Sequence, residues 1–216
     1  MLLETYYSWA TPLFSTQLGL PNEQREALKK TILDLSKRQV DPIDSQVAIP
    51  AKHRLLESPL DFFRAHKQNP AVNACHNLLV DGLTMAIHEA NAGYFDDPPA
   101  IQTLITESWY HVTSNGGYHD SHSHPNCSWC GIYCVETPEK ADANNGVNRF
   151  YDPRPLADHY QDAATQYLSH EGVWDFDLPI DSAVFFPSYL KHAALPFFTQ
   201  TKERIVIAFN SQTHAI

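Results

Sequence analysis

Along the first hundred residues the apolar positions recur at helical spacing. Leu28, Ile32 and Leu35 form one stripe, while Lys29, Lys30, Lys37 and Arg38 lie off it, the pattern of a helix that packs by one face and leaves the other to water. Pro21-Asn22-Glu23 opens that helix, with Asn22 expected at the N-cap. A longer helix is predicted after Asn69-Pro70, with Val72, Cys75, Leu79, Leu83 and Ile87 as its apolar stripe and Gly93 as its stop. Between the two, residues 40–54 read as loop and Ser58-Pro59 starts a short helix ending at Ala65; a strand interrupted by Pro12 comes first of all. From Ile101 onward the pattern changes. Segments rich in β-branched and aromatic residues, separated by Gly, Asn, Asp and Pro clusters, predict strands over 104–112, 118–124, 128–136, 148–151, 173–177, 182–186, 193–198 and 204–210. Residues 139–146 read as a polar loop and 153–169 as holding a short surface helix. Strands this short and this regularly spaced indicate a sandwich, jelly roll or barrel. Residues 1–100 are therefore expected to supply a strand and packing helices that support a β core at 101–216, the whole forming one structural domain.

Composition narrows the function classes. A formal net charge of −10 argues against nucleic acid or an anionic membrane as the main partner, because both require a basic footprint. It leaves open a small anionic ligand, which needs only a local Arg or Lys. No apolar run has the length of a membrane span, and Met1 to Thr5 carries no basic leader pattern, so a cytoplasmic address is expected. A homodimer is the default expectation for assembly. Three of the four cysteines cluster as Cys127, Cys130 and Cys134. On a strand Cys130 and Cys134 would stand roughly 13 Å apart, too far for one zinc, so reduced thiols are expected instead.

The densest chemistry lies in Gly116-Gly117-Tyr118-His119-Asp120-Ser121-His122-Ser123-His124-Pro125. In an extended chain alternate side chains share a face, with residues two apart separated by roughly 6.6 Å, so His122 and His124 can reach one ion. Imidazole and carboxylate suit iron, and His192, in Phe186-Pro187-Ser188-Tyr189-Leu190-Lys191-His192, is a candidate distal ligand.

The order of these features resembles the iron(II)/2-oxoglutarate-dependent oxygenases, and within them the family called "putative 2OG-Fe(II) oxygenase". The resemblance rests on His122-Ser123-His124-Pro125, Gly131-Ile132-Tyr133, Asp152-Pro153-Arg154, Phe186-Pro187 with His192 beyond it, and Arg204-Ile205-Val206-Ile207-Ala208-Phe209-Asn210, and it covers roughly residues 101–212. It implies a double-stranded β-helix, a cupin-like jelly roll, with Fe(2+) in its mouth. It also implies an enzyme that oxidises, by hydroxylation, an undefined small-molecule or peptide substrate as 2-oxoglutarate is decarboxylated to succinate. His122 takes the place of the first iron ligand and His192 that of the distal one. Arg204 stands where such enzymes pair the far carboxylate of 2-oxoglutarate, and a guanidinium fork suits that task. On the last strand Arg204, Val206, Ala208 and Asn210 share one face, and Asn210 and Tyr133 complete the expected cosubstrate set. One departure matters: His124 fills the slot that is usually Asp or Glu. Asp120 either supplies the missing carboxylate or orients a ligand histidine from behind, and the second role is preferred. Two other readings stay open. A three-histidine cupin dioxygenase fits Gly116-x5-His122-x-His124, although Ser128 and Trp129 stand where its glutamate is expected, and a non-catalytic metal- or ligand-binding jelly roll fits the fold alone.

Overall fold

Helix starts and strand alternation both follow local chemistry. In the computed structural model, which describes residues 10–37, 52–94, 99–139, 145–154, 162–163, 172–198 and 203–216, α1 spans Asn22–Ser36 and α3 spans Pro70–Asn91. The Asn69 side chain accepts from the main-chain N–H groups of Ala71 and Val72, closing two of the open donors at the start of α3. In α1 the cap is Pro21 rather than Asn22, which is the first helical residue and accepts from Arg25 instead. The short α2 (Phe62–Ala65) starts later than expected, with Asp61 at its cap.

The strands are β1 (Phe14–Gln17), β2 (Lys52–Glu57), β3 (Ile101–His122), β4 (Trp129–Glu136), β5 (Asn148–Tyr151), β6 (Val173–Phe176), β7 (Ser182–Pro187), β8 (His192–Phe197) and β9 (Arg204–Ala215). All pair antiparallel, in the order β1-β7-β4-β9-β3-β8-β5-β6, with β2 added on β3. Two predicted strands are one: β3 pairs with β9 from Ile101 to Thr113 and with β8 from Gly117 to His122, so it passes from one layer of the jelly roll to the other. The bend needs glycine. Gly116 has φ +79°, a left-handed conformation costly for other residues, and a Cβ on Gly117 would meet the Arg54 carbonyl. β2 corrects the reading of 40–54 as loop at its C-terminal end; most of that stretch, like the early strand residues, the tip of the 139–146 loop and most of 153–169, lies outside the described residues.

Two apolar clusters fill the molecule. Leu28 and Ile32 of α1 and Val72, Cys75, Leu79 and Leu83 of α3 pack on Tyr110, Tyr133, Phe185, Ile205, Ile207 and Phe209 of the sheet. On the other side of the same strands, Trp109, Cys130, Ile132, Phe186, Val206 and Ala208 line the interior of the jelly roll, joined there by Phe150 of β5. Parity along β3 is reset by a bulge between Ile105 and Glu107. Ile101 and Ile105 therefore face the helices, whereas Trp109, His111 and Thr113 face the interior.

Candidate active site

His122 ends β3 and His192 begins β8, and the two are direct cross-strand partners. His124 lies just past β3, tied by its main-chain N–H to the carbonyl of Ser188 at 3.1 Å. The three side chains offer ligand atoms all within 4.8 Å of one another, the only such His/Cys/Asp/Glu group among the described residues. Orientation comes from the main chain. Nδ1 of His122 donates to the carbonyl of Asp120 at 2.8 Å, and Nδ1 of His192 to the carbonyl of Leu190 at 3.1 Å, in each case two residues upstream. That leaves the Nε2 lone pairs for an ion. His124 Nε2 and His192 Nε2 stand 3.4 Å apart, a separation that two imidazoles each about 2.1 Å from one metal can span. Burial, followed by the nearby charge of His122, pushes His192 down to about 3 and His124 down to about 4. Both imidazoles are thus neutral, the form that binds metal, at neutral pH. An all-nitrogen set of this kind fits iron.

On the inner side of the triad lies an enclosed cavity shared by His122, His124, His192, Asn148, Ala194 and Arg204. Arg204 is only 4% exposed and forms no hydrogen bond or ion pair with any described residue; burial holds its pKa below the ordinary value, with Asp177 acting on it only through space. A buried guanidinium without a partner is costly, and a carboxylate entering the cavity would satisfy it. On the outer side an open cleft of about 610 Å³ is lined by Glu57, Glu107, His119, Asn210 and Gln212 together with His122 and His124. The triad stands in the wall between the two spaces.

The remaining expected residues are placed differently. Asp120 does orient His122, but through its main-chain oxygen, and its exposed carboxylate lines neither space. Asn210 faces the outer cleft, where Nδ2 donates to Glu107 at 2.6 Å and Oδ1 accepts from the Cys130 thiol at 3.3 Å. It shares a strand face with Arg204, yet six residues of strand put them roughly 20 Å apart, on opposite sides of the triad. Tyr133 is away from both spaces: it is fully buried on the helix-facing side of β4, where its hydroxyl donates to Asp181 at 2.9 Å. The thiols of Cys127 and Cys130 are 3.7 Å apart and unpaired, and neither joins the histidine group.

Several cavity residues were not singled out from sequence. His119 faces the cavity because register shifts on either side of it rotate β3 before His122. His111 Nε2 meets the Trp109 indole N–H at 3.0 Å and Glu57 Oε2 at 2.8 Å, and the same Glu57 oxygen is 3.9 Å from His119 Nε2. Shared parity with Trp109 was the available signal for His111. Glu57 had none, because β2 read as loop up to its midpoint. Asn148 was legible only as two residues from Phe150, whose pairing with His192 belongs to the tertiary structure.

A jelly roll with a histidine triad in its mouth and a buried Arg behind it offers a place for a metal ion beside a place for an anion. Residues 107–210, just under half of the chain, match the model of the family described as "Putative 2OG-Fe(II) oxygenase", and this matched region is that of an iron(II)/2-oxoglutarate-dependent oxygenase. Its cofactors are Fe(2+) and 2-oxoglutarate. Among solved structures, a prolyl-4-hydroxylase from Pseudomonas putida is 12% identical with a TM-score of 0.54, over 93% of this chain and 92% of that one. A prolyl hydroxylase from Trichoplax adhaerens, in complex with a hypoxia inducible factor peptide fragment, is 12% identical with a TM-score of 0.58, over 93% and 83%. A viral collagen prolyl hydroxylase from Paramecium Bursaria Chlorella virus-1, in complex with 2-oxoglutarate, is 10% identical with a TM-score of 0.52, over 92% and 94%. At these identities the likeness is one of fold. No curated protein matches the chain. Among the described residues no helix is long and apolar enough to cross a membrane.

Proposed function

We propose that His122, His124 and His192 hold the iron, that Arg204 anchors the distal carboxylate of 2-oxoglutarate in the enclosed cavity, and that the primary substrate, a small molecule or peptide, approaches through the outer cleft. The observation that carries this reading is the buried Arg204 guanidinium, without a partner among the described residues, in the same cavity as the triad. When bound, iron and 2-oxoglutarate together supply oxygen activation, the oxoacid leaving as succinate and carbon dioxide while a substrate C–H bond is hydroxylated. The chain's own part is positioning. The Asp120 and Leu190 carbonyls fix two imidazole rings, and Trp109 stacks on the His124 ring at 5.6 Å between centroids, restraining the third. Arg204 sets the orientation of the oxoacid by a bidentate pair, and the closed apolar walls of Val206, Ala208 and Phe186 keep bulk water from that end.

The reading assigns no cosubstrate contact to Asn210 or Tyr133; Asn210 becomes a wall residue of the substrate cleft. A cytoplasmic address is our reading too, supported by four cysteines that are all unpaired. The test is succinate formation from 2-oxoglutarate by iron-loaded protein under air. We expect slow succinate release without added substrate, abolished by leaving out iron. Iron-loaded protein that neither binds 2-oxoglutarate nor makes succinate from it removes the reading.

A further inference from the structure

Asn148 lies at the start of β5, is 3% exposed, and its side-chain Nδ2 has no hydrogen-bond partner among the described residues. A buried amide donor left open costs about as much as a lost hydrogen bond, so this residue is either badly placed or placed for a ligand. Its position favours the second. The amide lines the enclosed cavity that also holds Arg204, so two nine-tenths-buried donor side chains, neither paired with a described residue, open on one space.

The register states the depth. Across β3, β8 and β5 one row is His122–His192–Phe150, and the next row inward is His119–Ala194–Asn148. Asn148 is therefore two residues further along its strand than the row of the triad, about 6.6 Å deeper. An oxoacid held by its 2-oxo acid head at the histidine row carries its second carboxylate two methylenes further on, about 4 Å beyond the keto carbon for an extended chain. One row step, less the reach of an Asn side chain, spans that distance. The central member of the inner row is Ala194, whose small side chain leaves the space in front of Asn148 open.

Resting on the oxygenase reading above, we propose that Asn148 is the second donor to the distal carboxylate of 2-oxoglutarate, and with Arg204 sets the selectivity for an oxoacid that ends in a carboxylate. Arg204 supplies the charge. Asn148 supplies a neutral hydrogen bond from the opposite layer of the jelly roll, so that the carboxylate is gripped between β9 and β5 and its plane is fixed.

The experiment compares two probes on the iron-loaded protein without oxygen: 2-oxoglutarate, and 2-oxopentanoate, which has the same head and chain length but a methyl end. Asn148→Leu is expected to weaken 2-oxoglutarate roughly ten- to hundredfold, the range for a hydrogen bond to a charged group, and to change 2-oxopentanoate less than about threefold. Asn148→Asp, nearly isosteric, sets like charge against the carboxylate and is expected to weaken 2-oxoglutarate at least as much while bound iron stays stoichiometric. A loss of equal size for both probes assigns Asn148 a purely structural role and overturns the proposal, as does wild-type 2-oxoglutarate affinity in both variants. Should either variant fail to fold, the wild type decides alone. In zinc-loaded protein labelled with 15N-asparagine, a side-chain amide pair should shift with 2-oxoglutarate and not with 2-oxopentanoate, and its failure to do so overturns the proposal. Loss of 2-oxoglutarate in Arg204→Ala with none in the Asn148 variants removes this inference only. A wild type that holds iron but takes up no 2-oxoglutarate removes the oxygenase reading on which it rests.

Discussion

The two faces of β9 are built to opposite specifications. On one, Ile205, Ile207 and Phe209 are at most 1% exposed and packed against the helices. On the other, the buried Arg204 and the small Val206 and Ala208 face a cavity in which Arg204 and the Asn148 amide nitrogen have no hydrogen-bond partner among the described residues. The helix face is closed by apolar contact and gains stability from every buried methylene. The cavity face gives up that gain: it leaves Arg204 desolvated, opposite Asn148 of β5, and in our reading a ligand satisfies both. Stability and function are thus separated by alternation along a single strand, and each face can be disturbed without the other.

Removing the triad is the most drastic disturbance of the cavity face. The paired change His122→Ala with His192→Ala should abolish stoichiometric iron, and His192→Ala alone should lower iron affinity at least tenfold; metal analysis after dialysis checks both. Next comes Arg204→Ala. Breaking one half of a desolvated ion pair typically costs about 2–5 kcal/mol, a loss of roughly thirtyfold to several-thousandfold in 2-oxoglutarate affinity. Iron affinity should barely change, and Arg204→Lys should recover only part of the loss because it lacks the fork. Anaerobic titration reads both variants, and equal curves for wild type and Arg204→Ala would break the assignment.

The helix face should respond in the opposite way. Leu79→Ala empties a fully buried site on α3 and should lower unfolding free energy by about 2–5 kcal/mol in a denaturant titration. The folded fraction should bind 2-oxoglutarate as the wild type does; a large change in affinity would mean that the two faces are coupled.

Acid should sharpen the comparison from the cavity side. His192 and His124 are held down to about 3 and about 4 in the folded protein, against an ordinary value of about 6.5. Between those limits the unfolded chain binds more protons, so the metal-free protein should lose stability as pH falls below about 6.5 towards 3, with no such contribution above it. Comparing urea midpoints of wild type and His192→Gln across this range isolates the effect, since the carboxylates titrate in both. A parallel pH dependence in the two proteins would contradict it. The smallest effect is expected for Asp120→Asn. Because the main-chain carbonyl orients His122, iron affinity and turnover should stay within about twofold of wild type, and a large loss of turnover would return the role to the carboxylate.

Much of this could be read from residues alone. The helical stripes, the cap at Asn69, the strand series after Ile101, the His122-x-His124 pair and the parity of Arg204 with Val206 and Ala208 are local patterns, dictated by 3.6- and two-residue periods that need no knowledge of neighbours. His192 is a candidate distal ligand from its own segment, the role of Arg204 comes by resemblance, and the fold brings His192 to the pair and sets Arg204 behind it. Parity states which residues share a face, but not which face turns to the helices; that is why Tyr133 is in the helix-side core and not at the site. Parity is also blind to distance along the strand, which parts Asn210 from Arg204, and to bulges, which turn His119 inward and reset β3 before Glu107. Glu57 joins the outer cleft through the pairing of β2 with β3, and Asn148 the cavity through the pairing of β5 with β8, contacts between segments far apart in the chain. Periodicity is a property of each segment alone, whereas register is an agreement between two, and only the folded sheet settles it.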